Sequence, residues 1–240
     1  MSESSSLPHE RLFPNIRRVS RIFHVSDVHA RNLKRHEEYS RVFRRLYEEI
    51  EKRKLPDVSL CVLVGDVVHS KTEMSPELFQ IVSRFLKSMA DRVPTLVVPG
   101  NHDEMANNPD RLDALTPIIA SIRHENLEYV RESGLYVVGN TAFSHMYFGD
   151  PKDAYVRAWE IPDIYDEKVA LYHDVVDKSE TDHGHVLESD KVKASFFTGF
   201  DKVLLGDIHK RQAVSKHRTD QISVPDEDVP EYEKHGWRRV

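Results

Sequence analysis

Short apolar runs alternate with amphipathic stretches over the first hundred residues of the chain. Residues 21–26, 58–64 and 95–98 are apolar or largely apolar, which is typical of buried strands. Between these runs, apolar side chains recur every three or four positions over residues 39–50 and 78–89, which is helical spacing. The order strand, helix, strand, helix, strand predicts a layered α/β fold with parallel strands.

The middle of the chain has a different pattern. Residues 127–138 resemble a hairpin that turns at Ser133 and Gly134, and residues 141–148 predict another strand. Apolar runs return at residues 169–172 and 202–205, and each run ends at polar side chains. A short helix is predicted over residues 191–197, between these two strands.

Three segments make up the predicted domain organisation. Residues 1–15 begin with a polar, serine-rich stretch and predict a flexible N-terminal arm. Residues 16–212 carry the strand and helix patterns and predict one folded domain. Residues 213–240 are charged and contain proline, so they predict an irregular tail without a further capping domain.

Composition supports a single folded domain and argues against a basic nucleic-acid binder, a membrane protein and a secreted protein. A chain of 240 residues with 39% apolar side chains is long enough to bury a sizeable core. The net charge of −6 is not that of an overall basic nucleic-acid binder, although a local basic face can exist on an acidic chain. The chain has no long apolar span, no hydrophobic signal core at its start and only one cysteine, Cys61. We therefore expect an intracellular, non-secreted protein without a membrane partner and with a buried thiol.

Polar side chains follow five predicted strands, at the point where each strand ends. Ligand sites in α/β sheets gather at the carboxyl ends of the strands, so these side chains are candidates for a common site. The segments are Asp27-Val28-His29, Gly65-Asp66, Gly100-Asn101-His102-Asp103, Tyr172-His173-Asp174 and Gly206-Asp207-Ile208-His209.

The chemistry of these side chains is that of a metal centre. Asp27 and His29 are two positions apart and face the same way in an extended segment. Asp66 has two carboxylate oxygens and could bridge two cations, while Asn101 offers an amide oxygen and His173 an imidazole. Mixed oxygen and nitrogen ligands suit Mn²⁺, Fe²⁺ or Zn²⁺ better than Ca²⁺. Two such ions, about 3.5–4 Å apart, would bind a phosphate and activate water.

These motifs resemble the calcineurin-like metallophosphoesterases over roughly residues 20–212. The resemblance implies an α/β fold, specifically a four-layer α-β-β-α sandwich with mixed sheets and flanking helices. It also implies two divalent metal ions, with Mn²⁺ expected and Mg²⁺, Fe²⁺ or Zn²⁺ as alternatives. One ion would be held by Asp27, His29, Asp66 and His209, and the other by Asp66, Asn101, His173 and Asp207. His102 would lie beside the phosphate, as a general acid or a stabiliser of the transition state.

Finer details resemble the SbcD-type nuclease subunit of the double-strand-break repair nuclease–ATPase complex. His69 follows Asp66 by three positions, and Lys210 follows His209 directly. The histidine matching His69 orients the scissile phosphate in that group. The resemblance therefore implies a DNA exonuclease and endonuclease, an ATPase partner of the SMC-like coiled-coil type, and a homodimer.

Asp207 departs from the family pattern, which has histidine at this position. A carboxylate is a competent but harder ligand, so we expect Asp207 to bind the second ion and to favour Mn²⁺ or Mg²⁺. The alternative is a lost second metal site. Asp103 and Asp174 flank candidate ligands and are predicted to orient neighbouring imidazoles.

The basic residues Arg31 and Lys210 follow the first and last ligand motifs, and both are predicted to contact phosphates. The sequence thus predicts a two-metal phosphodiesterase of nuclease type. A metallophosphoesterase acting on a small nucleotide or a phosphoprotein is the first alternative. The acidic net charge and the expected absence of a DNA-capping domain favour it. A non-catalytic scaffold of the same fold and a truncated, inactive fragment are the others.

Overall fold

The computed structural model describes residues 8–104, 111–180, 183–187 and 192–209. The chain divides into two compact units. The larger unit contains residues 1–174 and 199–207, and the smaller contains residues 175–198 and 208–240. Both β-sheets lie in the larger unit.

The first sheet has four strands, all parallel. In spatial order they are β2 (Arg21–Val25), β3 (Ser59–Val64), β4 (Thr95–Val98) and β5 (Leu127–Tyr129). The connections between consecutive strands carry α1 (His36–Arg53), α2 (Pro76–Ala90) and α3 (Leu115–Ile122). The hydroxyl of Ser75 accepts a hydrogen bond from the Leu78 amide at 3.2 Å and caps α2.

The three helices pack on one face of this sheet. Phe43 of α1, Phe85 of α2 and Ile118 of α3 form a buried cluster with Cys61 and Leu63 of β3. All six residues of β3 are buried, because the other face of the sheet is covered by the second sheet. The predicted burial of the Cys61 thiol is confirmed.

The second sheet has five strands and is mixed. In spatial order they are β1 (His9–Arg11), β6 (Gly134–Val138), β7 (Thr141–Met146), β8 (Glu167–His173) and β9 (Lys202–Gly206). Only β6 and β7 run antiparallel to each other. Phe143, Val169 and Leu171 pack against Leu60 and Val62 of the first sheet. The predicted α/β sandwich is confirmed, with one buried core between the two sheets and another between the helices and the first sheet.

The outer face of the second sheet is covered by irregular chain in the described residues. Leu135 and Ala142 pack against Ile161, with Val156 and Tyr165 at the edge of this cluster. The covering segment includes a single 3₁₀ turn over Lys152–Ala154. The outer layer here is therefore not an α-helix in the part of the chain that the structure describes.

Three local predictions differ from the structure. The flexible arm was expected to reach residue 15, but His9–Arg11 pairs with β6, and Leu12 and Phe13 behind it are buried. The hairpin predicted around Ser133 is wrong, because β5 and β6 belong to different sheets. The helix predicted over residues 191–197 is a 3₁₀ turn over Ala194–Phe197, with position 191 outside the described residues.

No helix in the described part of the chain is long and apolar enough to cross a membrane. The predicted irregular tail, residues 213–240, lies outside the described residues.

Candidate metal centre

The loops after β2, β3 and β9 run side by side at the carboxyl ends of their strands. The Asp27 amide donates to the Gly65 carbonyl at 3.2 Å, and the His29 amide donates to the Asp66 carbonyl at 2.9 Å. The Asp207 amide donates to Asp27 Oδ1 at 3.0 Å. These backbone contacts bring the predicted ligand motifs of three strands to one place.

Four of the predicted ligands have left-handed backbone conformations. The φ angles are 55° at Asp27, 48° at His29, 56° at Asp66 and 69° at Asp207. Such conformations cost about 1–3 kcal/mol each for residues other than glycine, and they persist only where the surroundings impose them. They turn the chain sharply at the carboxyl ends of the strands, where the predicted ligands lie.

Asp66 lies at the centre of the site and is fully buried. Its Oδ1 accepts a hydrogen bond from the His102 amide at 2.9 Å and lies 3.3 Å from His173 Nε2. Its Oδ2 lies 3.5 Å from His29 Nε2 but accepts no hydrogen bond from the described residues. Burial is the largest single influence on Asp66 and raises its pKa, but the hydrogen bond to His173, the charges of His173 and His29 and the hydrogen bond from the His102 amide together outweigh burial and lower the pKa. The carboxylate is therefore ionised at neutral pH.

His173 is held in a defined tautomer. Its Nδ1 donates to the Val64 carbonyl at 2.8 Å, which leaves Nε2 facing Asp66 and the Asn101 amide oxygen at 3.3 Å. Burial lowers the pKa of His173, but the hydrogen bond to Asp66, the negative charges of Asp66 and Asp27 and the hydrogen bond to the Val64 carbonyl together outweigh burial and raise the pKa to about 9. A metal ion bound at Nε2 would take the place of that proton.

Three glycines allow Asp66 and His173 to approach the backbone closely. A Cβ atom at Gly65 or Gly206 would clash with the imidazole of His173. A Cβ atom at Gly100 would clash with both Asp66 and His173. Glycine is therefore required at the ends of three different strands for these side chains to meet.

The donor atoms fit a divalent metal ion. Asp27, Asp66 and His173 each offer one ligand atom, and these atoms lie within 4.8 Å of one another. Asn101 adds a neutral oxygen next to His173 Nε2. The buried Asp66 oxygen without a hydrogen bond and the mixed oxygen and nitrogen donors are both explained by a bound cation.

Three imidazoles lie together beside these ligands. The ring centroids of His29 and His102 are 4.8 Å apart, and those of His69 and His102 are 5.4 Å apart in a stacked arrangement. His102 Nδ1 donates to the His69 carbonyl at 2.6 Å, so only Nε2 of His102 is left for other partners. Burial and the nearby charge of Arg31 lower the pKa of His69.

Asp103 ties two ligand loops together through the backbone. Its carboxylate accepts hydrogen bonds from the amides of Val67 at 3.2 Å, Val68 at 2.9 Å and Gly100 at 3.0 Å. Burial raises the pKa of Asp103 to about 7, and the negative charge of Asp66 adds to this effect. The hydrogen bonds of Asp103 run to backbone amides and so hold the two loops together, while its predicted role in orienting an imidazole stays a prediction.

The calcineurin-like phosphoesterase family matches residues 20–211. The chain belongs to this family. An uncharacterized protein of Acanthamoeba polyphaga mimivirus is 38% identical over 212 residues, which cover 84% of this chain and 15% of the viral protein. The phosphoesterase thus spans a small part of the length of this relative. Family membership and the donor atoms together indicate metal-dependent hydrolysis of phosphoesters.

Several site residues of the phosphoesterase were not predicted from the sequence. Lys71 donates to the carbonyls of Asn101 at 2.7 Å and Glu104 at 3.0 Å, and so holds the loop that carries Asn101. The ring of Phe148 lies 6.4 Å from the ring of His173. The hydroxyl of Tyr39 donates a hydrogen bond to the backbone carbonyl of His29. Lysine in a loop and aromatic residues in apolar runs carry no distinctive signal in the sequence.

The remaining predicted residues of the phosphoesterase differ in how far the structure describes them. Asp207 is half-buried, which raises its pKa, but it belongs to no group of three described ligands within 4.8 Å. Its ligation of a metal stays a prediction. The charge of Asp174 acts on Asp207 and Tyr172, and its predicted role also stays a prediction. His209 belongs to the smaller unit, so its ligation stays a prediction as well. Lys210 lies outside the described residues.

Proposed function

We propose that this phosphoesterase is a phosphodiesterase of nuclease type that cleaves DNA with two divalent ions, Mn²⁺ being the expected metal. One ion is assigned to Asp27, His29, Asp66 and His209, and the other to Asp66, Asn101, His173 and Asp207. When bound, such ions act as Lewis acids toward a phosphate and make water a better nucleophile. Binding of the phosphate and protonation of the leaving oxygen are assigned to side chains of the protein.

The stacked pair of His69 and His102 beside His29 is the observation that favours a phosphodiester. His102 has its Nδ1 committed to the His69 carbonyl, so Nε2 is the atom that holds or donates a proton at the leaving oxygen. An ester such as DNA needs this help, because its leaving group is a strongly basic alkoxide.

His69 and Arg31 are assigned to the phosphate itself. The His69 ring stacks on the His102 ring at a centroid distance of 5.4 Å, so its imidazole would lie beside a phosphate whose leaving oxygen His102 protonates. Arg31 is exposed, and its charge acts on His69, which places positive potential at the same edge of the site. Together they would orient the phosphate toward His102.

The proposed partners follow from the resemblance to the double-strand-break repair nucleases. They are a DNA substrate, an ATPase of the SMC-like coiled-coil type and a second copy of this chain, in an intracellular compartment. Size-exclusion chromatography with light scattering measures the homodimer directly, and a monomer at all concentrations would contradict it.

The test of the proposed function compares three substrates under saturating Mn²⁺. We expect the purified protein to cleave single-stranded DNA and a chromogenic phosphodiester faster than a chromogenic phosphomonoester. His69→Asn should slow cleavage of both diesters while leaving Mn²⁺ binding unchanged, because His69 is assigned to phosphate and not to metal. Cleavage of the monoester alone would overturn the nuclease assignment.

A small nucleotide or a phosphoprotein remains the second candidate substrate, because the net charge of −6 does not favour binding to DNA. A cyclic nucleotide and a phosphopeptide added to the same assay distinguish the two. Faster turnover of either one than of DNA would favour this candidate.

A further inference from the structure

The hydroxyl of Tyr39 joins two functional positions of the site. It donates to the His29 carbonyl at 2.8 Å and accepts a hydrogen bond from the Arg31 amide at 3.2 Å. Its ring lies on α1 and stacks on Phe43 at a centroid distance of 5.9 Å. A residue anchored in the helical layer thus reaches the backbone on both sides of Ala30.

The segment that Tyr39 contacts is otherwise held from the opposite side. The His29 amide donates to the Asp66 carbonyl at 2.9 Å, and the Ala30 amide donates to the Val67 carbonyl at 3.0 Å. These bonds tie the segment to the loop after β3, and the Tyr39 hydroxyl ties it to α1. The left-handed conformation of His29 is therefore fixed between two elements.

Arg31 is held by the first turns of the same helix. Its amide donates to Tyr39, and its carbonyl lies 3.1 Å from Nε2 of His36, which donates to it. Residues 33–35 are exposed, and Leu33 and Arg35 have left-handed backbone conformations. The start of α1 has no side-chain cap, and the bonds from Tyr39 and His36 connect the backbone of Arg31 to the helix.

We propose that Tyr39 is a positioning residue that sets the metal ligand His29 and the phosphate-facing Arg31 in one geometry. This inference rests on the proposed phosphate contact of Arg31. The Tyr39 hydroxyl fixes the backbone positions of His29 and Arg31, and these positions determine where the imidazole and the guanidinium lie. It therefore influences both metal affinity and phosphodiester affinity.

Tyr39→Phe removes the hydroxyl and keeps the stacked ring. We expect Mn²⁺ affinity to fall about tenfold, as for other groups that orient a metal ligand. Under saturating Mn²⁺, we expect KM for the chromogenic phosphodiester to rise about tenfold, with a smaller change in kcat, because phosphate binding is the step that Arg31 serves.

Tyr47→Phe is the matched control. Tyr47 lies on the same helix, stacks on Phe85 at 6.4 Å, and directs its hydroxyl to Ser88 of α2. It should match Tyr39→Phe in thermal stability while leaving Mn²⁺ affinity and KM unchanged. Equal Mn²⁺ affinity and equal KM in the two variants would overturn the proposal.

A double-mutant cycle with Arg31→Gln tests the coupling. If Tyr39 acts on substrate through Arg31, Tyr39→Phe should change KM less than about twofold in the Arg31→Gln background. An unchanged KM in Arg31→Gln alone would overturn the proposal, whereas diester cleavage by the wild-type protein would still support the proposed function. Should Tyr39→Phe not fold, His36→Ala removes the other bond to Arg31 and must raise KM without altering Mn²⁺ affinity.

Discussion

Replacing Gly100 with alanine tests whether the close approach of the ligand loops creates the metal centre. A Cβ atom at this position would clash with Oδ1 and the amide of Asp66 and with Nε2 of His173. Both side chains are buried and cannot move into solvent. Overpacking of this kind costs about 1–3 kcal/mol of folding free energy, and the atoms that must move are the predicted ligands.

The same substitution at Gly134 is a matched control. Neither glycine has a left-handed φ angle, so alanine causes no backbone strain at either position. A Cβ atom at Gly134 would lie 3.5 Å from the Tyr136 ring, which is an ordinary contact. Gly134→Ala should therefore stay within about 1 kcal/mol of the wild-type stability.

The assay combines urea unfolding, Mn²⁺ calorimetry and hydrolysis of a chromogenic phosphodiester. Gly100→Ala should lower the free energy of unfolding by about 1–3 kcal/mol. It should also weaken Mn²⁺ binding about 10–100-fold, with a parallel loss of activity, because Asp66 and His173 are displaced from each other. Mn²⁺ affinity and activity equal to those of Gly134→Ala would refute this account of how the site is built.

Three further outcomes follow from the site and its surroundings. His102→Ala should reduce turnover and leave Mn²⁺ stoichiometry intact, and a loss of bound metal would show that His102 is a ligand instead. Asp207→Ala should weaken one of two Mn²⁺-binding steps and Asp207→His should tighten Zn²⁺ binding, while two unchanged steps in the alanine variant would exclude ligation. Burial lowers the pKa of His145 to about 4, so the neutral imidazole stabilises the fold above pH 6.5 and this stability is lost as the pH falls toward 4. The difference corresponds to roughly 3 kcal/mol, and urea unfolding at pH 7 and pH 4.5 should show a smaller acid loss in His145→Gln than in wild type.

The sequence predicts β2, β3 and β4 and the helices α1 and α2, because their patterns are local, but it does not predict α3 (Leu115–Ile122). The buried run of β3 and the apolar stripes of α1 and α2 each follow from a single periodicity. The partner of a strand is not a local property. The strands around Ser133 therefore look like a hairpin in the sequence, although β5 and β6 lie in different sheets.

In the candidate site, too, features with a local sequence pattern could be predicted and contacts between distant residues could not. The convergence of Asp27, Asp66 and His173 could be predicted, because each follows a strand of a layered α/β fold. Tyr39 and Lys71 could not, because their roles depend on hydrogen bonds to backbone atoms of distant loops. Such contacts leave no pattern of residue types along the chain.

Titration calorimetry with Mn²⁺ on the wild-type protein and on Asp66→Asn tests the central claim most directly. Asp66 would help to hold both proposed ions, and the substitution keeps its shape while removing its charge. The account predicts two ions per chain in the wild-type protein and no tight binding in Asp66→Asn. Fewer than one ion per wild-type chain, or unchanged binding in Asp66→Asn, would contradict it.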